Sequence, residues 1–540
     1  MREIDAAAAR AAVHSGQEVA FLDVREAGQF GEGHALFAVP AHYSRLEAAV
    51  PGLVPCPRID ILLIDDGDGV AHRAARALGR LGYTAVSVVA GGMPAWAAAG
   101  FPVYKGVNVP SKTLGELAET AWRPEMVKPQ TLHDWRRSGR PFRLFDARPP
   151  EEYAKMSVPG AVCLPNGELA YRLDTVGLDK EQPVVVTCAG RTRGIVGAIG
   201  LRLAGHKGPV FALENGTQGW ALAGFDLERG NKAEPYPSLP VHTLEEAKAR
   251  ARAICDRFEI PFVTAAEADR LLHDQSRTTY LFDVRSREEA LRDPVPEAVH
   301  APSGQLVQAT DQWVGVRRSR LILIDDGGLR AALAAFWLAQ LGYTVHVALI
   351  DDAVRQLNRP QGAAPREEAP VPRKVDAADA LRGVRSQRGC FIDLRSSLAY
   401  RREHVDGAVW SIRPRLLRAA APYGDRRIHL IADDQQIARF AAYDLRESGF
   451  HSTFVVEGGY AALIDAGAVC QSSPDEPPDP EAIDHLFFVH DRHDGNLEAS
   501  RRYLAWETGL VDQLDAIERA EFGLFKPWEG SETPTALDPP

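Results

Sequence analysis

Cysteine is scarce, at six in 540 residues, and no two form a Cys-x-x-Cys pair. This excludes a disulfide-stapled scaffold and a zinc ribbon and fits a reducing compartment. Long apolar runs are missing as well. The longest are of strand length, such as Ile61–Ile64, far short of the roughly 20 residues that cross a bilayer. The opening residues carry charges at Arg2, Glu3 and Asp5 with no apolar stretch between them, so no secretory signal is expected. Positive charge is in deficit: 62 Lys and Arg against 73 Asp and Glu give a net charge of −11. Such a field repels phosphate backbones, so neither nucleic acid nor an acidic membrane is expected as a partner, although a local basic pocket stays open. The reading is a soluble cytoplasmic protein.

What is present is ordinary globular composition, with 45% hydrophobic and 25% charged residues. The length suggests three or four domains. A repeat decides the number. A strand ending in Asp-x-Arg occurs four times, at Asp23–Arg25, Asp146–Arg148, Asp283–Arg285 and Asp393–Arg395. A second apolar strand ends 42 residues after the first three Asp residues, at Asp65, Cys188 and Asp325, and 40 after the fourth, at Asp433. Equal offsets in matching strand contexts mark four copies of one domain. Each copy then reads as strand, helix and strand: Ile61–Ile64, 71–81 and 85–89 in the first; Val184–Thr187, 194–203 and Val210–Leu213 in the second; 321–324, 331–341 and 345–349 in the third; 428–432, 437–448 and Thr453–Val456 in the fourth. Buried apolar strands joined by helical crossovers predict an α/β fold with a mainly parallel sheet and helices on both faces.

Proline-rich stretches at 234–240, 359–372 and 472–478 mark linkers, and 106–125 is a less clear junction. The expected domains are 1–105, 125–232, 258–358 and 374–470, followed by a helical tail at 483–540 whose last residues, 530–540, read as disordered. In the tail, Asn496 is an N-cap candidate, and Leu497, Tyr503, Leu504, Leu510, Val511, Leu514 and Ile517 form a stripe reaching about Phe522. That stripe packs either on the body of the protein or on a partner subunit, which leaves a homodimer open.

One copy carries a reactive loop. Strand Val184–Thr187 runs into Cys188-Ala189-Gly190-Arg191-Thr192-Arg193, and a helix begins near Gly194. Parallel sheets place ligands at the C-terminal ends of their strands. Loop N–H groups and the helix N-terminus favour a thiolate there. Arg191 and Arg193 add positive charge, expected to bind an anionic donor and to lower the thiol pKa. An isolated cysteine followed by a solvated basic loop is the plainer reading of a single Cys, but this loop between strand and helix points to a nucleophile in an anion cradle. Four residues separate Cys188 from Arg193, fewer than the five of cysteine phosphatases, so a sulfur atom fits better than a phosphoryl group.

The second copy resembles the rhodanese (sulfurtransferase) superfamily. The resemblance rests on Asp146-x-Arg148 with Glu152-Tyr153, on Val158-Pro159-Gly160-Ala161, on the loop Cys188–Arg193 and on Asn215-Gly216 ahead of Trp220. It implies four tandem rhodanese-like domains, each with a mainly parallel five-stranded sheet. It also implies that Cys188 takes a sulfane sulfur from a small anionic donor, thiosulfate or a persulfide, and passes it to a thiol or cyanide. Ala189, Gly190, Arg191, Thr192, Arg193 and Gly194 would bind the donor, with Asp146 and Arg148 in support. Ser157 and Gly194 depart from the residues the family often has there. No cofactor or metal is implied.

The other three copies read Asp65-Asp66, Asp325-Asp326 and Asp433-Asp434 at the cysteine position. A carboxylate forms no persulfide, so these copies are expected to be catalytically silent, their acids capping helices rather than binding a metal, and their Asp-x-Arg pairs holding the fold. Three silent copies also suit a binding scaffold. Cys56, Cys163, Cys255, Cys390 and Cys470 sit in no cradle and read as structural. His490–Asp494 has ligand-type residues without a coordination geometry.

Overall fold

The computed structural model describes residues 2–176, 182–237, 239–358, 371–490 and 496–527. All four repeats form parallel sheets. In the first, the order is Arg2–Ile4, Val86–Val89, Ile61–Ile64, Val19–Asp23, Val39–Pro40. In the second it is Glu125–Val127, Val210–Leu213, Val184–Thr187, Arg143–Asp146, Val162–Cys163. The fourth repeats this order with Lys374–Val375, Thr453–Val456, Arg427–Ile431, Gly389–Asp393 and Val409–Trp410. The third departs from the expected five strands. It has four, and a single bridge from Phe262 to Val347 stands where the fifth would pair. Continuous apolar runs such as Ile61–Ile64 and Val184–Thr187 are central strands because both faces are covered, and every residue in them is buried.

The crossover helices start close to where the sequence puts them, at Val70–Arg80, Thr192–Leu203, Leu329–Gln340 and Gln435–Glu447. The repeated Asp-x-Arg is a buried staple. In each copy the guanidinium binds the Asp carboxylate two residues back at 2.6–2.7 Å. The same Nη2 also donates to a carbonyl eight residues on, of Gly33, Met156, Asp293 and Glu403. Five donors in a rigid fork let one side chain hold the strand end, its carboxylate and the following loop together.

The linear order of repeats is not their packing order. The chain forms two compact units, one holding the first and fourth repeats, the other the second and third with the C-terminal helices. Within the first unit, fully buried Arg413 of the fourth repeat binds Glu47 of the first at 2.6 and 2.7 Å and stands 4.4 Å over the Tyr43 ring. Within the second unit, fully buried Arg330 of the third repeat binds Glu168 of the second at 2.7 Å and stands 4.0 Å over Tyr171. Each pairing of repeats therefore centres on an arginine stacked on the partner repeat's tyrosine.

The unclear junction at 106–125 contains helix Val109–Trp122, which belongs to the second unit. The tail does not form one helix to Phe522. It is Leu497–Thr508, Leu510–Gln513 and Ala516–Ala520, because Asp515 caps a new helix with Glu518 in a capping box. Asn496 does cap the first of them, accepting from the Ala499 N–H at 3.0 Å. Most of the 359–372 linker, the terminal 530–540 stretch and, apart from the backbone of His490, the His490–Asp494 cluster lie outside the described residues. Among the described residues no helix is long and apolar enough to cross a membrane.

Candidate active site

Cys188 follows the central strand of the second repeat and is 2% exposed. The loop is held from behind by the turn after the neighbouring strand. The Thr217 N–H donates to the Cys188 carbonyl at 2.8 Å, and the Gln218 N–H to the Ala189 carbonyl at 3.1 Å. Such an approach needs Gly216. Its φ is +55°, and a Cβ there would lie 2.3 Å from the Cys188 oxygen and 2.7 Å from the Gly190 oxygen. Gly92 and Gly459 occupy the same place in the first and fourth repeats, with φ of +58° and a would-be Cβ 2.2 Å from the Asp65 oxygen and 2.5 Å from the Ala432 oxygen. The turn glycine thus shapes the loop in active and silent copies alike.

Helix Thr192–Leu203 opens four residues after Cys188, with Gly194 beside the sulfur and its N–H donating to the Arg191 carbonyl at 3.1 Å. First-turn N–H groups have no intrahelical acceptors, which is why an anion is welcome there. Gly194, where the family often has a small polar residue, has room for one: a Cβ would lie 3.8 Å from the Cys188 sulfur and 3.4 Å from the Val186 oxygen.

The polar side chains of the loop are all engaged by acids from outside it. Arg193 makes a two-pronged pair with Glu152 at 2.6 and 2.7 Å. Arg191 binds Glu116 at 2.8 and 3.0 Å and also Glu119, both on helix Val109–Trp122. The Thr192 hydroxyl donates to Glu507 Oε1 at 2.9 Å, a residue of helix Leu497–Thr508. That helix and helix Val109–Trp122 both lie against the loop. A Cβ on Gly190 would meet Glu507 Oε2 at 2.7 Å, and one on Gly115 would meet Thr192 Cγ2 at 2.7 Å.

These contacts correct the electrostatic expectation. The Cys188 thiol is raised above its ordinary value, first because it is buried. Arg193, the Gly194 N–H and Arg148 act to lower it, while Glu507 adds to the rise. The two loop arginines thus differ. Arg193 acts most strongly among the charges that favour the thiolate, whereas Arg191 is turned to the two glutamates of helix Val109–Trp122. Cys163, Cys255 and Cys390 are buried without comparable help, and burial pushes each up to about 12. All six cysteines are free thiols. Asp146 and Arg148 form the second repeat's staple, 0% and 1% exposed, and Arg148 reaches the site through its charge.

The silent loops are filled by the protein itself. Asp65 accepts from the Gly67 and Ala71 N–H groups at 2.9 Å, so its carboxylate caps the following helix where the active copy has its sulfur. In the fourth repeat the expected Asp433 does not stand at the cysteine position. Ile431 pairs with Asp393 as Thr187 does with Asp146, so Ala432 stands there, the strand-to-loop step being one residue shorter than the sequence offset suggests. Asp434, two residues on, caps the helix, accepting from the Gln436 N–H at 2.8 Å. In the third repeat, Arg330 binds Asp325 and Asp326 at 2.7–2.8 Å, and the Tyr171 hydroxyl donates to Asp326 at 2.8 Å. A Cβ on Gly327 would lie 2.5 Å from the Tyr171 ring, so that loop receives a side chain from the second repeat.

The residues missed from sequence are Glu116, Glu119, Gln218 and Glu507. Glu507 did leave a signal, since it lies four residues after Tyr503 and so shares the apolar face of its helix. A charge on that face calls for a partner.

The model of the rhodanese-like domain family matches residues 5–99, 128–223 and 264–358. The structure of a thiosulfate sulfurtransferase from Pseudomonas aeruginosa is 34% identical, with a TM-score of 0.87 over 97% of this chain and all of that one. The rhodanese-like domain of an Anabaena protein is 25% identical over 19% of this chain and 80% of that domain, with a TM-score of 0.19. A curated HTH-type transcriptional regulator of Mycobacterium tuberculosis is 31% identical over 118 residues, 22% of this chain, which spans about half of that regulator's length. With more than half of its length matched by the family model and the four-fold repeat seen in its sheets, the chain belongs to the rhodanese-like domain family.

Proposed function

We propose that this chain is a sulfurtransferase in which Cys188 carries the sulfur. The observation that supports it is the placement of one thiol at the end of a central parallel strand, beside the start of helix Thr192–Leu203, under the field of Arg193 and Arg148, in a loop fixed by Gly216. Family membership and the full-length similarity to a thiosulfate sulfurtransferase support the same class of reaction.

The thiolate of Cys188 attacks the outer sulfur of a sulfane donor, thiosulfate or an organic persulfide. The new S–S bond forms as the donor's S–S bond breaks, and sulfite or the donor's thiolate leaves with the electron pair. Loop and helix N–H groups hold the negative charge that develops. A thiol, or cyanide in an assay, then attacks the outer sulfur of the Cys188 persulfide and restores the thiolate, a ping-pong sequence. Because burial raises the Cys188 thiol, the proton must leave before attack, and donor binding that brings the sulfur under Arg193 favours that loss. The test is sulfur transfer to cyanide by wild type and by Cys188→Ala. The expected result is loss of transfer in the variant; full activity would overturn the assignment.

The scaffold reading has less support. The third repeat's loop, the natural docking place of a silent domain, is filled by Tyr171 and Arg330 of the same chain. The silent copies serve mainly to build the two units.

A further inference from the structure

We propose that Asn166 is a positioning residue for the Cys188 loop, and that the silent third repeat holds it in place through Ser303 and Gly304. The inference rests on the sulfurtransferase reading and gives a repeat without a nucleophile a part in the site of its neighbour.

Asn166 lies between strand Val162–Cys163 and helix Glu168–Arg172 and is 7% exposed. Its backbone N–H donates to the Ala147 carbonyl at 3.3 Å, inside the Asp146–Arg148 staple. Its side-chain Nδ2 donates to the Arg193 carbonyl at 2.9 Å, in the first turn of helix Thr192–Leu203. One residue thus ties the end of a central strand to the turn that carries Arg193 and Gly194 beside the sulfur. The helix passes close to it, since a Cβ on Gly197 would lie 2.5 Å from Asn166 Oδ1. That oxygen is buried and has no hydrogen-bond partner. An apolar side chain would fill the same space without leaving an acceptor unpaired, so the bond to Arg193 is what calls for an amide here.

The third repeat carries the same tether. The Ser303 N–H donates to the Val284 carbonyl at 3.1 Å, and its hydroxyl donates to the Arg330 carbonyl at 2.9 Å, in the first turn of helix Leu329–Gln340. The two tethers meet. A Cβ on Gly304 would lie 2.5 Å from the Asn166 oxygen, and one on Gly167 would lie 2.7 Å from Ser303 Oγ. Each tether presses on the glycine that follows the other, a self-complementary contact between two copies of one domain. Backbone pressed on backbone yields only by shifting the segment, so the third repeat sets where Asn166 stands. The consequence reaches the sulfur through Arg193. Burial and Glu507 raise the Cys188 thiol, and Arg193 and Arg148 act against them. Glu152 holds the Arg193 guanidinium and Asn166 holds its backbone, so losing Asn166 turns the arginine relative to the sulfur.

The test uses the full chain and reads the pH midpoint of Cys188 alkylation by iodoacetamide, located by peptide mapping, together with transfer from thiosulfate to cyanide. The variants are Asn166→Ala, which removes the unpartnered oxygen along with the donor and is expected to fold, and Gly304→Ala. Gly342→Ala is the control: it lies in the third repeat with φ of +90°, and its Cβ would meet the Arg318 side chain at 2.5 Å. In Asn166→Ala and Gly304→Ala the midpoint is expected to rise by about half a pH unit or more, roughly a threefold loss of thiolate below the midpoint, with kcat/KM falling at least as far. Gly342→Ala is expected to lower the melting temperature and leave the midpoint in place. Should Gly304→Ala not fold, Ser303→Val, which adds bulk against Gly167, takes its place with the same expectation. A purely structural role lowers melting in all the variants and moves no midpoint. A wild-type midpoint in Asn166→Ala overturns the proposal, and a wild-type midpoint in the third-repeat variant overturns that repeat's part in it. Absence of transfer by wild type overturns the sulfurtransferase reading and leaves the midpoints to decide the role of Asn166.

Discussion

Substituting Gly216 by Ala tests how the active loop is held. Two costs arise at this position and can be separated. The first is conformational: φ is +55°, where a Cβ costs roughly 1–2 kcal/mol. The second is steric: the new atom would lie 2.3 Å from the Cys188 carbonyl oxygen and 2.7 Å from that of Gly190, and both are backbone that yields only if the loop moves. Gly205 supplies the control, with φ of +85° and nothing within 4 Å of its would-be Cβ. Gly205→Ala should therefore cost about 1 kcal/mol, a fall of about 2–4 °C in the melting of a unit this large. Gly216→Ala should cost about 3 kcal/mol or more, and it should also lose sulfur transfer, because relief of the clash displaces Cys188. Gly92→Ala meets a matching clash at the Asp65 oxygen in a copy without the cysteine, so it should lose stability to a similar degree and keep transfer. Thermal unfolding by circular dichroism and the cyanide assay on the three variants suffice. If Gly216→Ala melts like Gly205→Ala and keeps its activity, the turn does not press on the loop and the geometry argued for the site is wrong.

Other outcomes follow from the same contacts. Alkylation of Cys188 should show a midpoint above the ordinary thiol value of about 8.5; Arg193→Ala should raise it further, Glu507→Gln should lower it, and Arg191→Ala should leave it in place, as measured by pH-dependent iodoacetamide labelling. Arg413→Ala strips a fully buried cation from Glu47 and Asp444 and should destabilise the first unit by about 3–5 kcal/mol, seen as an early melting transition with transfer retained. Gly194→Ala places its methyl at ordinary contact distances in a helix and should stabilise the second unit by about 0.5–1 kcal/mol in urea titration.

Much of this was legible in the sequence, and the reasons are local. Asp-x-Arg, the buried strand and the turn glycine recur because each copy solves the same closing problem with the same atoms, so their spacing shows the repeat and locates Cys188 at a strand end. What stayed hidden depends on contacts between distant segments. Nothing in the order of the repeats tells that the first pairs with the fourth, since that pairing is made by Arg413 on Glu47 and Tyr43. The arginines of the loop looked free because their acids lie on helix Val109–Trp122 and at Glu152, elements a local reading does not bring near Cys188. The short edge strand missing from the third repeat and the break of the tail at Leu514–Asp515 are boundary effects, set by a cap and by packing more than by periodicity.

The central claim is that one thiol of the six carries the sulfur. Intact-mass spectrometry of the full chain after brief treatment with a sulfane donor, followed by peptide mapping, tests it directly. The account predicts the gain of one sulfur atom per chain, located on Cys188, removed by a thiol acceptor and absent from Cys188→Ser. A gain located on another cysteine, or one that survives Cys188→Ser, would contradict it.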